Sequence, residues 1–173
     1  MATVLSQHAV LRCSMTLAMT LFTIGLLPNV TLSAEPEPVK FDTYDGYFVS
    51  NKFEPDTPES YVLLTDQKAF DNTFGVAFVM GDKSHRLPKD AFANHVVIAV
   101  VKRGMAITEF KVNQISESAD GLEIRYTTKE QKQDSAQFAS PLIISVPRKD
   151  YQSIRFVENE KLVKTIKPGG TNR

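Results

Sequence analysis

The chain has 173 residues, with 20 basic and 20 acidic side chains, three histidines and a single cysteine. Balanced charge without a run of Lys and Arg excludes the electrostatic footprint by which proteins hold nucleic acid or an anionic membrane surface. One cysteine, Cys13, excludes a disulfide framework within the chain.

Residues Met1 to Ala34 carry one charged side chain, Arg12, ahead of an apolar run from Met15 to Leu27. That run has the length of a signal-peptide core and falls short of the ~20 residues a membrane span needs. Pro28 breaks it, and Leu32-Ser33-Ala34 then puts a small residue before the polar Glu35-Pro36-Glu37-Pro38, so cleavage is expected after Ala34. Cys13 precedes the run, whereas a lipoprotein signal places its lipidated cysteine after it. The expected mature chain, Glu35 to Arg173, has no cysteine and no segment for stable membrane insertion. Arg12 leaves with the leader, so nineteen basic and twenty acidic residues remain, a formal charge of −1.

The mature chain reads as one β-rich domain over 46–167, between an extended segment at 35–45 and a disordered tail at 168–173. Its Pro- and Glu-rich entry, Glu35 to Val39, and its Gly-rich tail bury too little apolar area to be ordered. Gly46 to Ser50 is the first predicted strand, and Glu54 to Glu59, with two prolines, is a loop. Tyr61-Val62-Leu63-Leu64 is extended again. Thr65 or Asp66 caps a helix through Phe74, with Phe70 and Phe74 on one face and Gly75 as its left-handed stop. Val76 to Met80 is ambiguous by periodicity, and Gly81 to Asp90 reads as an exposed loop.

His95-Val96-Val97-Ile98-Ala99-Val100-Val101 is an unbroken apolar, largely β-branched run, the pattern of a central strand covered on both faces. A strand over Ile107 to Ile115 is expected to present Thr108, Phe110, Val112 and Gln114 on one face. Asp120-Gly121 turns it into the alternating Leu122-Ile124-Tyr126. Thr128 to Ser140 is polar and reads as a loop, followed by the strand Pro141 to Val146. Ser153 to Val157 and Leu162 to Ile166 form a hairpin around a four-residue loop, Glu158-Asn159-Glu160-Lys161, in which Asn159 tolerates a positive φ. The predicted fold is mainly β (α+β): an antiparallel sandwich or open barrel with one short helix, preceded by a signal peptide.

No residue set matches a catalytic, cofactor or metal motif. His85, near Asp82 and Asp90, has no ligand spacing and reads as a loop residue, and His95 as a strand end. Asp42-Thr43-Tyr44-Asp45-Gly46 resembles the start of a calcium loop but lacks its third ligand and its bidentate Glu. Ser84 and His85 are adjacent, so their side chains diverge. Two surfaces remain for a partner. One is the aromatic group Tyr44, Tyr47 and Phe48; the other is the turn Lys102-Arg103-Gly104-Met105, where an adaptable apolar side chain sits beside two charges.

From Tyr61 onward the order of features is similar to a known family. Tyr61-Val62-Leu63-Leu64-Thr65-Asp66 leads into a helix with Phe70, and Phe92-Ala93-Asn94-His95 leads into the Val96 to Val101 run before Gly104. Phe110-Lys111-Val112, Leu122-Glu123-Ile124 and Pro141 to Pro147 follow. This succession resembles the C-terminal domain of PrcB-type protease complex subunits of bacteria. Where that family carries a Thr-Gly-Gly-Tyr turn after its central strand, this chain has Gly104-Met105-Ala106-Ile107-Thr108. The resemblance implies a secreted, non-catalytic β domain that associates with or stabilises a protein partner such as a protease. The expected function is therefore a non-enzymatic binding or assembly module in the periplasm or outside the cell, without a cofactor. A small-ligand or glycan-binding domain, and an exported hydrolase with dispersed acids, are the alternatives.

Overall fold

The structure is a computed structural model that describes residues 35–77, 85–133 and 136–168. The expected leader, residues 78–80 of the segment left ambiguous, the 81–84 part of the expected loop and the tail after Pro168 lie outside the described residues. Along the chain run β1 (Glu37–Pro38), β2 (Asp42–Thr43), β3 (Tyr47–Val49), β4 (Glu59–Leu64), α1 (Gln67–Thr73), β5 (Phe74–Val76) and α2 (Ala91–Asn94). They are followed by β6 (His95–Gly104), β7 (Ala106–Ser118), β8 (Gly121–Lys132), β9 (Phe138–Pro147), β10 (Ile154–Glu158) and β11 (Lys161–Ile166).

The apolar run lies in β6, whose side chains alternate between two cores. Val96, Ile98 and Val100 pack with Ile115, Leu122, Ile124, Tyr126, Ile154 and Phe156 from the facing sheet. Val97, Ala99 and Val101 pack on the opposite side with Phe70, Phe74, Val49, Leu87 and Ala91. All six β6 side chains are buried, as the sequence pattern requires of a strand covered on both faces. The result has three layers. A five-stranded sheet, β1-β7-β8-β10-β11, faces a four-stranded sheet, β2-β9-β6-β4, and α1 with the β3–β5 pair covers the outer side of the latter.

Local chemistry explains α1. The Asp66 carboxylate accepts the Ala69 N–H at 2.8 Å, and Phe70 meets Phe74 with ring centroids 5.2 Å apart. The helix does not end on a left-handed glycine. Phe74 is already extended and runs directly into β5, where Gly75 lies opposite Phe48; a Cβ on Gly75 would run into that ring. A second helix, α2, escapes the sequence pattern because one turn is too short to show a period.

Several expectations are corrected by pairing between distant segments. The Glu35 to Val39 entry is tied into the sheet: Glu37 and Pro38 pair with Glu117 and Ser116, and the Val39 N–H donates to the Ile115 carbonyl at 2.9 Å. Prolines are tolerated there because β1 is an edge. The predicted first strand is thus the third. β7 carries a bulge between Val112 and Gln114, which flips its inward face, so Ile115 is buried and Gln114 is exposed. Much of Thr128 to Ser140 is strand instead of loop. β8 continues to Lys132, paired with Ala106, in a ribbon held by backbone bonds and needing no apolar face. β10 runs parallel to β8, with Ile154 beside Leu122, so the five-stranded sheet is mixed and not purely antiparallel. The hairpin loop is also tighter than expected: Glu158 pairs with Lys161, leaving Asn159 and Glu160 at φ 47° and 65°.

Candidate functional site

β6 runs past both cores into Lys102 and Arg103, whose side chains leave on opposite faces. Lys102 follows the parity of Val100 toward the five-stranded sheet. Its ammonium lies 2.5 Å from the Glu158 carboxylate and 3.4 Å from Glu59, with the Lys102 and Glu158 side chains only 12% and 11% exposed. Glu158 also accepts hydrogen bonds from the hydroxyls of Thr128 at 2.8 Å and Tyr126 at 3.3 Å. Burial alone would lower the Lys102 pKa, but the hydrogen bond and charge of Glu158, with Glu59 behind them, hold it above the ordinary lysine value. Burial raises Tyr61 and Tyr126 as well, helped by Glu59 at the first and by Tyr61 and Glu158 at the second.

Arg103 turns the other way and binds the 53–58 loop. Its guanidinium donates to the carbonyls of Phe53 at 2.8 Å and Thr57 at 3.0 Å and to the Ser60 hydroxyl at 2.9 Å, and it lies 5.7 Å from the Phe53 ring centroid. Burial lowers its pKa, against the opposing charge of Glu54. Sequence reasoning offers Lys102 and Arg103 as charges for a partner; the fold uses both internally.

Gly104 and Met105 differ. A Cβ added at Gly104 would meet nothing within 4 Å, and Met105 is 49% exposed. The Met105 carbonyl accepts the Gln133 N–H at 2.8 Å, which fixes the backbone beneath the exposed side chain. Beside it is a hollow of about 260 Å³ lined by Pro58, Glu59, Ala106, Thr108 and Glu130 together with the turn itself.

The aromatic group does not form one face. Tyr44 shares a hydrogen bond of 3.1 Å with Ser145 Oγ, and Tyr47 accepts the Leu87 N–H at 3.0 Å while meeting Phe70 edge-on at 4.9 Å. Both pack against the core beneath the four-stranded sheet. Phe48, next in the strand, points to the other side and lies exposed over Gly75.

A groove that sequence reasoning misses opens between β2, β9 and β7. It encloses about 600 Å³, with Phe41, Tyr44 and Phe110 among its walls and Thr108 and Lys111 as polar neighbours. At its rim His85 Nδ1 meets the Asp45 carboxylate at 2.8 Å. His85 therefore pairs with a residue forty positions away, while Asp82 lies outside the described residues. Asp42 is held in β2, and among the described residues no three His, Cys, Asp or Glu side chains gather where they could hold a metal ion. Inward alternation at Phe110 and Val112 is the one sequence signal of this groove; its opposite wall comes from Phe41 in the segment expected to be plain extended chain.

No protein-family model matches the chain, and neither a curated protein nor a solved structure matches it.

Proposed function

We propose that the mature chain is a non-enzymatic binding or assembly module of the periplasm or extracellular space, associating with a protease or another envelope protein. The observation that carries this function is the corner after β6. Met105, an unbranched and polarisable side chain, stands half exposed beside a hollow, on a backbone pinned by Lys102 on one face and Arg103 on the other. A rigid stem with an adaptable apolar tip suits an interface, since little order is lost on docking. The resemblance to PrcB-type subunits points the same way.

The test is affinity capture from the native envelope fraction after gentle crosslinking, comparing tagged mature chain with Met105→Ser. The wild type should recover a stoichiometric partner and the variant should lose it, with stability unchanged within about 0.5 kcal/mol because the side chain is half in solvent. A wild type that recovers no partner sinks the proposal.

A second reading, a small-ligand or glycan binder, is favoured by the groove walled with Phe41, Tyr44 and Phe110. NMR titration with glycan fragments tests it: amide shifts should cluster on β2 and β7, and Phe110→Ala should abolish them.

A further inference from the structure

Sheet edges offer unpaired N–H and C=O groups to any passing strand. β1, at one edge of the five-stranded sheet, is two residues long. The other edge, β11, has six residues and a strand neighbour on one side only. Two consecutive apolar side chains stand in solvent there, Leu162 at 48% and Val163 at 38% exposure. Val163 is the extra residue of a bulge, because Lys164 pairs with Phe156 and Leu162 with Val157.

Charge on this edge is uncompensated. Lys161, Lys164 and, just past the strand, Lys167 are exposed, and none has an ion pair or side-chain hydrogen bond among the described residues. By contrast, the two arginines of the neighbouring strands are matched, Arg125 by Glu123 and Glu160 and Arg155 by Glu123. No carboxylate interrupts Lys161 to Lys167.

We propose that the free edge of β11 receives an extended, acidic segment of a protein partner by strand addition. Main-chain bonds to β11 would supply affinity, carboxylates would face the three lysines, and apolar residues between them would cover Leu162 and Val163. A second copy of the chain is a poor occupant, because β11 laid against itself crowds the three lysines of each copy together. Edge lysines also guard against aggregation. Such a guard repels strands without carboxylates and admits one that carries them.

The inference rests on the chain being a protein-binding module but uses a surface other than Met105. The experiment titrates the mature chain with a capped peptide of the length of β11 that alternates Glu with Val, and with a Lys–Val peptide as control, at low and at high salt. Only the Glu–Val peptide should bind, about tenfold more weakly at high salt, and it should slow hydrogen exchange of β11 amides. Lys164→Glu with Lys167→Glu should reverse the preference toward the Lys–Val peptide without changing the melting temperature. Absence of Glu–Val binding, binding that leaves β11 exchange unchanged, or β11 amides already protected in a dimer of the free chain would each overturn it. If envelope capture through Met105 succeeds while the peptide fails, this inference falls and the proposed function stands. If the peptide binds but no envelope partner is recovered, the reverse holds.

Discussion

Replacing Lys102 by Met isolates the contribution of burial to an ion pair, because the chain holds two Lys–Glu pairs of equal length in different surroundings. Lys102–Glu158 and Lys149–Glu117 both measure 2.5 Å, but the first pair is 12% and 11% exposed and the second 55% and 31%. At an effective dielectric of about 20 the attraction at that distance is about 7 kcal/mol, and burying two charges costs several kcal/mol each, so the intact buried pair is close to neutral. Removing one partner exposes the uncompensated term. Lys102→Met keeps the aliphatic stem but leaves Glu158 buried without its closest counterion, a loss that in buried pairs amounts to about 3–5 kcal/mol. Thr128 and Tyr126 still donate to that carboxylate, which places the expected loss near the lower end, about 3 kcal/mol. Lys149→Met should cost less than about 1 kcal/mol. Urea unfolding with unchanged m-values reads both quantities. Adding Glu158→Gln, which keeps an acceptor for one of the two hydroxyls and removes the stranded charge, should restore at least half of the loss. Equal costs for Lys102→Met and Lys149→Met, or no recovery in the double variant, would refute the assignment of the cost to a stranded charge.

Ile98→Ala, fully buried between β4 and β9, should cost about 2–5 kcal/mol in urea unfolding, whereas His85→Ala at the exposed groove rim should stay within about 0.5 kcal/mol. Gly121 has φ +126°, and a Cβ there would strike the backbone of Ser153, whose carbonyl accepts the Leu122 N–H; Gly121→Ala should cost about 2 kcal/mol or more, while Gly104→Ala should be near neutral in the same assay. Alkaline pH should weaken the fold. Burial raises Tyr61, Tyr126 and Tyr151, the last to about 12 with help from Glu117, and Lys102 is raised by its carboxylates. The folded state then binds more protons than the unfolded chain above about pH 10, so stability present below that pH is lost as pH rises through the folded values. Thermal melts should be level from about pH 8 to 9 and fall steadily above about pH 10; a flat profile to pH 12 would contradict those shifts.

What could be read from the sequence is what neighbouring residues decide among themselves. Six apolar residues from Val96 to Val101 can only be a strand with both faces covered, Asp66 satisfies the first turn of α1 from three residues away, and Asn159 accepts the positive φ of a tight hairpin. Mainly-β architecture follows from the number of such runs. What only the tertiary structure decided depends on partners far along the chain. Lys102 finds Glu158 fifty-six residues away and Arg103 finds Phe53 fifty residues away, which turns two charges that look available to a partner into internal ties. Tyr44 is claimed by Ser145, 101 residues distant, and Tyr47 by Leu87, so adjacency in sequence does not make an aromatic face. The bulge in β7 reverses which side of its strand is inward, and β10 lies parallel to β8 because the chain after Pro147 crosses from one sheet to the other. The exposure of β11 is likewise a property of the assembled sheet: its pattern marks it as a strand, but only the strand order leaves its outer edge without a neighbour.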